Sequence, residues 1–255
     1  MDDDLCRKAA DALVFRGNAV ALTGAGISVE SGIPAFRGAQ GMWEKFDPAE
    51  YATIGAFLRD PEKVWEMLSE MIDVLKGASP NPAHYGLAEM ERRRILRSVI
   101  TQNVDGLHQA AGSGRVIEYH GNPRELVCVA CWRRYPSLEK IAEGMPPRCR
   151  CGEILKPDIV FFGEPIPWMA QEQAEEEARN CGVLLVIGTS AQVSPACDIP
   201  RIAKERGAFI IEINPEETSL TAGITDLHLP GIASEIVGRL VELLGKSSRD
   251  GEPGH

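Results

Sequence analysis

His120 stands at the end of the run Arg115-Val116-Ile117-Glu118-Tyr119 and just before Gly121-Asn122. An imidazole changes charge near neutral pH, so a histidine held at a strand end is a candidate general base. Many histidines so placed are only structural hydrogen-bonders, and the surrounding chemistry has to raise the catalytic reading. Two other groups do so: a glycine-rich turn far upstream, Gly24-Ala25-Gly26-Ile27-Ser28, and four cysteines just downstream.

The glycine turn follows Ala19-Val20-Ala21-Leu22-Thr23, a small apolar run that suits a parallel strand covered on both faces. A strand entering a glycine turn that opens a helix can bring backbone N–H groups close to a phosphate. Val29 occupies the place of the last glycine of the dinucleotide fingerprint, so the turn is only a partial match. Its continuation, Glu30 to Gly38, contains Pro34, which breaks the helix and leaves a loop able to cover a ligand.

Cys128-x-x-Cys131 and Cys149-x-Cys151 have the spacing of a two-knuckle zinc ribbon. Four thiolates close a tetrahedral metal completely, so a zinc held there is structural and leaves no position for water or substrate. The second knuckle is short, and Gly152 supplies the backbone freedom that it needs. The insert is too small for a core of its own, and the metal supplies the missing cohesion. Cys6, Cys181 and Cys197 read as ordinary buried residues, and an odd cysteine count with four clustered suits a reducing compartment.

The elements that must position these groups alternate. Helices are expected over 4–16, over 48–76 with a break near Asp60-Pro61, and over 81–93, 168–179, 197–206 and 231–244. Strands are expected over 19–23, 95–101, 115–119, 158–162, 183–187 and 208–213. Such alternation defines an α/β fold, a Rossmann-like doubly wound parallel sheet that binds ligands at the carboxyl ends of its strands. Thr23-Gly24, Gln102-Asn103, His120, Gly188-Thr189-Ser190 and Asn214 all fall at such ends, so five separate polar clusters converge on one crevice. Trp65, Met67, Leu68, Met71, Ile72 and Leu75 read as core, and spacing cannot distinguish that from the wall of an apolar channel. The expected division is 1–38, 80–121 and 158–246 for the large domain. A helical insertion, 39–79, and a zinc ribbon, 122–157, form a small one, with a flexible tail over 247–255.

At 255 residues and 44% hydrophobic content the chain can bury a substantial core. Its 37 acidic and 27 basic side chains give −10, which disfavours non-specific binding to nucleic acid. The start, Met1-Asp2-Asp3-Asp4, is not a signal sequence, and no apolar run would span a bilayer, so a cytoplasmic protein without membrane contact is expected.

In order, Gly24–Ser28, Gly32-Ile33-Pro34-Ala35-Phe36-Arg37, Thr101-Gln102-Asn103-Val104-Asp105, His120-Gly121, the cysteine pairs, Phe162-Gly163-Glu164, Gly188-Thr189-Ser190 and Ile213-Asn214 resemble the sirtuin family of NAD-dependent protein deacylases. The resemblance runs over roughly residues 15–240 and implies NAD as cofactor and an acetyl-lysine protein or peptide as partner. It implies that Ala25, Phe36 and Arg37 belong to the cofactor loop and that Gln102 contacts the nicotinamide-side ribose. Asn103 and Asp105 would line the nicotinamide pocket and take part in catalysis, with His120 as the base. Ser190 and Asn214 would hold the phosphate and adenosine side. Gly24, Gly26, Ser28, Glu30, Ala35, Val104, Gly188, Thr189 and Ala233 complete the implied cofactor set. Val160, Phe161, Phe162 and Gly163, with Val193, resemble the edge on which an acyl-lysine peptide adds as a strand.

The implied reaction sets the lysine amide oxygen against the anomeric carbon as nicotinamide departs, and His120 then takes a proton from a ribose hydroxyl. Free lysine, nicotinamide and O-acetyl-ADP-ribose would be the products. Ala35 stands where the family commonly has Asp or Thr, so a hydrogen bond from that position is missing. The helix before Asn81-Pro82 lacks the Y-x-x-R pair of members that prefer succinyl or malonyl groups, so acetyl preference is expected. Two alternatives stay open. One is mono-ADP-ribosyl transfer or NAD hydrolysis in the same pocket. The other is a non-catalytic NAD sensor whose zinc ribbon binds DNA through Arg133, Arg134, Lys140, Arg148 and Arg150, against which the interleaved Glu139, Glu143 and Glu153 count.

Overall fold

Ala19–Thr23 form β1, buried along its whole length in the computed structural model, which describes residues 2–36 and 41–247 (side chains to 245). It is preceded by α1 (Asp3–Arg16), capped by the Asp2 carboxylate, which accepts the N–H groups of Asp4 and Leu5 at 3.0 and 3.3 Å. A 3₁₀ helix, Ala25–Ser31, follows β1 and ends at Gly32 in the left-handed region, two residues short of the sequence-predicted break at Pro34. Next come α2 (Met42–Lys45), α3 (Pro48–Tyr51), α4 (Ile54–Arg59), α5 (Pro61–Gly77) and α6 (Pro82–Arg92). The chain continues through β2 (Leu96–Thr101), α7 (Leu107–Ala110), β3 (Val116–Glu118), β4 (Gly121–Val127), β5 (Arg134–Pro136), α8 (Ser137–Glu143) and β6 (Lys156–Ile159). It closes with α9 (Trp168–Asn180), β7 (Val183–Ile187), α10 (Ile199–Glu205), β8 (Phe209–Asn214), β9 (Leu227–Pro230) and α11 (Ala233–Ser247).

Six strands form one sheet in the order β3-β2-β1-β7-β8-β9, every pair parallel. The period of two along each strand divides the core. Ala19, Ala21, Val183, Leu185, Ile211 and Ile213 face one apolar cluster shared with α1, α6 and α11, while Val20, Leu22, Leu184, Val186 and Ile210 face another shared with α9 and α10. Both faces are therefore covered, as a doubly wound parallel sheet requires. The strand order reverses between β1 and β7, and a crevice opens there at the carboxyl ends.

A second sheet of three strands, β5-β4-β6, is antiparallel. Leu126 and Ile159 of this sheet, with Cys128, Cys149 and Leu155 of the adjoining turns, share one core with Phe46, Phe57, Trp65 and Leu68 of the helical insertion. The indole N–H of Trp65 donates to the Leu155 carbonyl at 2.8 Å, joining α5 to the cysteine segment.

Two expectations are corrected, and one strand had not been expected. The strand placed at 158–162 in the parallel sheet is instead β6, paired antiparallel with β4, because the returning chain uses Leu155 and Ile159 to close the small core. The helix expected over 48–76 breaks a second time at Ala52-Thr53. There the Thr53 hydroxyl caps α4 by accepting the Ala56 N–H at 3.0 Å, and Phe162 pairs with the backbone on either side. The ninth strand, Leu227–Pro230, carries His228 and Pro230 and had no alternating pattern to announce it. Cys6 and Cys181 are buried as expected, whereas Cys197 is only half-buried. Residues 248–255 of the expected tail lie outside the described residues.

Candidate active site

Because every strand of the main sheet runs the same way, the residues after β1, β2, β3, β7 and β8 emerge on one side. They surround a cavity of about 540 Å³, a volume suited to a small organic ligand. Gly24, Ala25 and Gly26 line it from β1, Gln102, Asn103 and Val104 from β2, and His120 from β3. Gly188, Thr189 and Ser190 line it from β7, and Asn214 from β8. Ala35 and Phe36 cover it, where Phe36 stacks on Trp43 at 5.1 Å and Trp43 leans on Phe162 at 6.3 Å. Arg37 lies outside the described residues.

The two glycine loops meet backbone to backbone. The Gly26 N–H donates to the Gly188 carbonyl at 2.8 Å, and a Cβ on Gly26 would sit 2.7 Å from the Gly188 Cα. On Gly24 a Cβ would lie 2.8 Å from the Gly188 carbonyl oxygen. These glycines bring the ends of β1 and β7 close enough to form the floor of the crevice.

At His120, Nδ1 lies 2.9 Å from the Gln102 carbonyl oxygen. A carbonyl only accepts, so Nδ1 carries the proton and Nε2 keeps its lone pair. Burial lowers the imidazole pKa from its ordinary value, and the Gln102 carbonyl opposes that shift in part. The result is a neutral imidazole with one ring nitrogen able to take a proton, at the wall of the cavity.

Behind it, Asn103 Nδ2 donates to the Gly24 carbonyl and to Ser28 Oγ, both at 3.1 Å, and the Ser28 hydroxyl donates to Asp105 at 2.7 Å. The other Asp105 oxygen accepts the Leu107 N–H at 2.9 Å. Ser28 and Asp105 do not line the main cavity. They border a narrow space of about 30 Å³ next to it, with which it shares Ala25, Phe36, Met71, Asn103 and Val104. His84, which the sequence did not single out, adjoins this group with Nε2 3.4 Å from Ser28 Oγ. The Asn81 N–H donates to His84 Nδ1 at 3.3 Å, so Nε2 carries the proton. Asn81-Pro82-Ala83-His84 has the spacing of a capping box, which was the available signal.

Two expected cofactor residues stand elsewhere. Glu30 is exposed at the end of the 3₁₀ helix, and Ala233 opens α11 within the apolar core, and neither lines the cavity. Conversely, Met67, Leu68 and Met71 of α5 line its apolar end, and Glu216, Glu217 and Thr218 line the opposite end beyond Asn214.

Val160, Phe161, Phe162, Gly163 and Val193 also line the cavity. Part of this edge is already paired: Phe162 donates to the Ala52 carbonyl at 2.9 Å and accepts the Ile54 N–H at 3.0 Å. The Val160 N–H donates to the His120 carbonyl at 2.9 Å, which couples the edge to the imidazole's own backbone.

The four sulfurs of Cys128, Cys131, Cys149 and Cys151 lie within 4.8 Å of one another, with three pairs at 3.5, 3.5 and 3.8 Å. Zn–S bonds of about 2.3 Å in a tetrahedron put sulfurs about 3.8 Å apart, so the group fits a Cys₄ zinc. Gly152 takes a positive φ of 99° behind the short knuckle.

A reversal crevice with a neutral imidazole at its wall and a thiolate cage away from the cavity define a dinucleotide-dependent enzyme whose metal is structural. The model of the Sir2 family matches residues 24–195. NAD-dependent protein deacylase 2 of Pyrobaculum aerophilum is 50% identical over 234 residues, 91% of this chain and 93% of that one. Among solved structures, one described under the mechanism and regulation of Sir2 enzymes superposes with a TM-score of 0.91 at 46% identity, covering 96% of this chain and all of that one. A Sir2 variant with a deacetylated p53 peptide and 3′-O-acetyl-ADP-ribose superposes with a TM-score of 0.87 at 36% identity, over 92% and 96% of the two chains. The chain belongs to the Sir2 family.

Proposed function

We propose that this chain is an NAD-dependent protein-lysine deacetylase that passes the acetyl group to ADP-ribose and releases nicotinamide and O-acetyl-ADP-ribose. The observation that carries this reading is His120: neutral by burial, its Nδ1–H fixed on the Gln102 carbonyl, and its Nε2 lone pair available at the cavity. NAD, when bound, supplies an anomeric carbon with a neutral leaving group. The glycine floor at Gly24, Gly26 and Gly188, with Ser190 and Asn214, would hold its phosphates and adenosine. Gln102, tied to Thr189 at 3.0 Å, would meet the ribose, and Asn103, which lines both spaces, the nicotinamide, with Asp105 at the adjoining narrow space.

The chain's own groups then divide the work. The edge at Val160–Gly163 and Val193 aligns the acyl-lysine strand, which converts a poor nucleophile into a correctly oriented one. The apolar end formed by Met67, Leu68 and Met71 takes the acyl group and excludes water. His120 Nε2 accepts a proton from a ribose hydroxyl, and the Gln102 carbonyl holds the ring in the tautomer that permits it. A cytoplasmic location and lack of nucleic-acid binding belong to the same proposal. They rest on the net charge of −10 and on the finding that, among the described residues, no helix is long and apolar enough to cross a membrane.

The test is turnover of an acetyl-lysine peptide with NAD by the wild type and by His120→Ala, following nicotinamide and O-acetyl-ADP-ribose by mass. Loss of about 10²–10⁴-fold in kcat in the variant is expected for a general base. Nicotinamide release by the wild type with peptide acetyl groups intact would instead establish ADP-ribosyl transfer or NAD hydrolysis.

A further inference from the structure

Lys156 is a lysine with only 8% of its side chain exposed, in a position where an unpaired ammonium would be costly. All three of its N–H groups are used. Nζ donates to the Ile159 carbonyl at 2.7 Å, to Glu164 Oε2 at 2.9 Å and to the Pro157 carbonyl at 3.2 Å. The same Glu164 oxygen accepts the Phe161 N–H at 2.8 Å, while the Glu164 N–H donates back to the Phe161 carbonyl at 3.0 Å. The ammonium also lies 4.6 Å from the centroid of the Phe161 ring, which packs edge-on against Phe57 at 5.8 Å. One buried charge thus gathers the segment 156–164 from inside.

The outer side of that segment is the edge at Val160–Gly163 that lines the cavity. With the other groups engaged, the Val160 carbonyl and the N–H and carbonyl of Gly163 have no hydrogen-bond partner among the described residues. A backbone edge binds an incoming strand only as well as its open groups are fixed beforehand, because any freedom they keep is lost on binding. Charge-assisted bonds from a buried ammonium fix them more firmly than neutral ones would.

We infer that Lys156 and Glu164 are positioning residues for the peptide substrate. Their ion pair, buried at Lys156 and part-buried at Glu164, which also lines the cavity, holds the Val160–Gly163 edge in the conformation that receives the acyl-lysine strand. The inference rests on the deacetylase reading above. It separates the two substrates: the cofactor floor at Gly24, Gly26 and Gly188 is built from other strands, so losing the ion pair should weaken peptide binding and leave NAD binding intact.

The experiment is steady-state kinetics on an acetyl-lysine peptide, with NAD affinity measured directly by calorimetry, for the wild type, Lys156→Met, Lys156→Arg and Glu164→Gln. Lys156→Met is expected to raise the peptide KM about tenfold, with kcat and NAD affinity within about threefold of wild type. Lys156→Arg, which keeps the charge and its donors, should restore most of that loss. If Lys156→Met fails to fold, Glu164→Gln carries the test, since it keeps the shape and an acceptor while removing the charge, and a rise of about threefold or more in peptide KM is expected. A peptide KM unchanged in a folded variant overturns the inference. So does a parallel loss of kcat, peptide KM and NAD affinity, which would mark a purely structural pair. A wild type inactive on every acyl-lysine peptide would remove the deacetylase reading itself, and the inference with it.

Discussion

Burial of the His120 ring disfavours its cation, which is the useful direction for the base that the proposed function makes it. The folded pKa is lowered below the ordinary 6.5, so the imidazole is already neutral at pH 7 and charges only on further acidification. The acidic limb of kcat/KM is therefore expected to have its midpoint below pH 6.5. A pH–rate series on acetyl-lysine peptide checks this, and a limb centred at or above 6.5 would contradict it. At the same scale, Gly26 accepts no side chain, since a Cβ would press on the Gly188 backbone at 2.7 Å. Gly26→Ala is expected to cost about 1–3 kcal/mol of stability and to weaken NAD binding, read by denaturant unfolding and calorimetry.

Among the elements, α5 is the one on which the acyl preference is expected to turn. Its buried face, Val64, Trp65, Met67 and Leu68, joins the small core, while Met67, Leu68 and Met71 reach the cavity. Both readings of that stripe hold, because a helix at the edge of a core can wall a channel with the same side chains. No cation on this face would meet an acyl carboxylate, so succinyl-lysine would bury a charge unpaired. Acetyl-lysine is expected to exceed succinyl-lysine in kcat/KM by at least about tenfold, measured on matched peptides. The strands were legible where they were buried on both sides: the continuous runs at Ala19–Thr23 and Val183–Ile187 have the expected boundaries. β6 was misplaced because Lys156-Pro157-Asp158-Ile159 has no apolar run to show which sheet it serves.

For the whole molecule, the helical insertion and the cysteine segment are separate in sequence yet share one apolar core, with two of the four sulfurs, those of Cys128 and Cys149, inside it. Removing zinc with a chelator should loosen both together, lower the melting temperature and abolish deacetylation, and added zinc should restore all three. Unchanged melting after verified metal loss would show that the core suffices without it. The edge proposed to receive the peptide is joined to this unit through Phe161 and through the pairing of Phe162 with Ala52 and Ile54, which is why loss of the metal is expected to reach the reaction.

By itself the sequence determined the parallel α/β class, the convergence of Gly24, Asn103, His120, Ser190 and Asn214 at strand ends, and the thiolate cage, because periodicity, strand termini and ligand spacing are local properties of a chain. Only the tertiary structure decided which tautomer His120 adopts, that Glu30 and Ala233 stand apart from the cavity, and that Lys156 is buried against Glu164. Each of these depends on which distant backbone or side chain arrives alongside, and a carbonyl acceptor, a covering loop or a low-dielectric setting leaves no mark in the residues next to it.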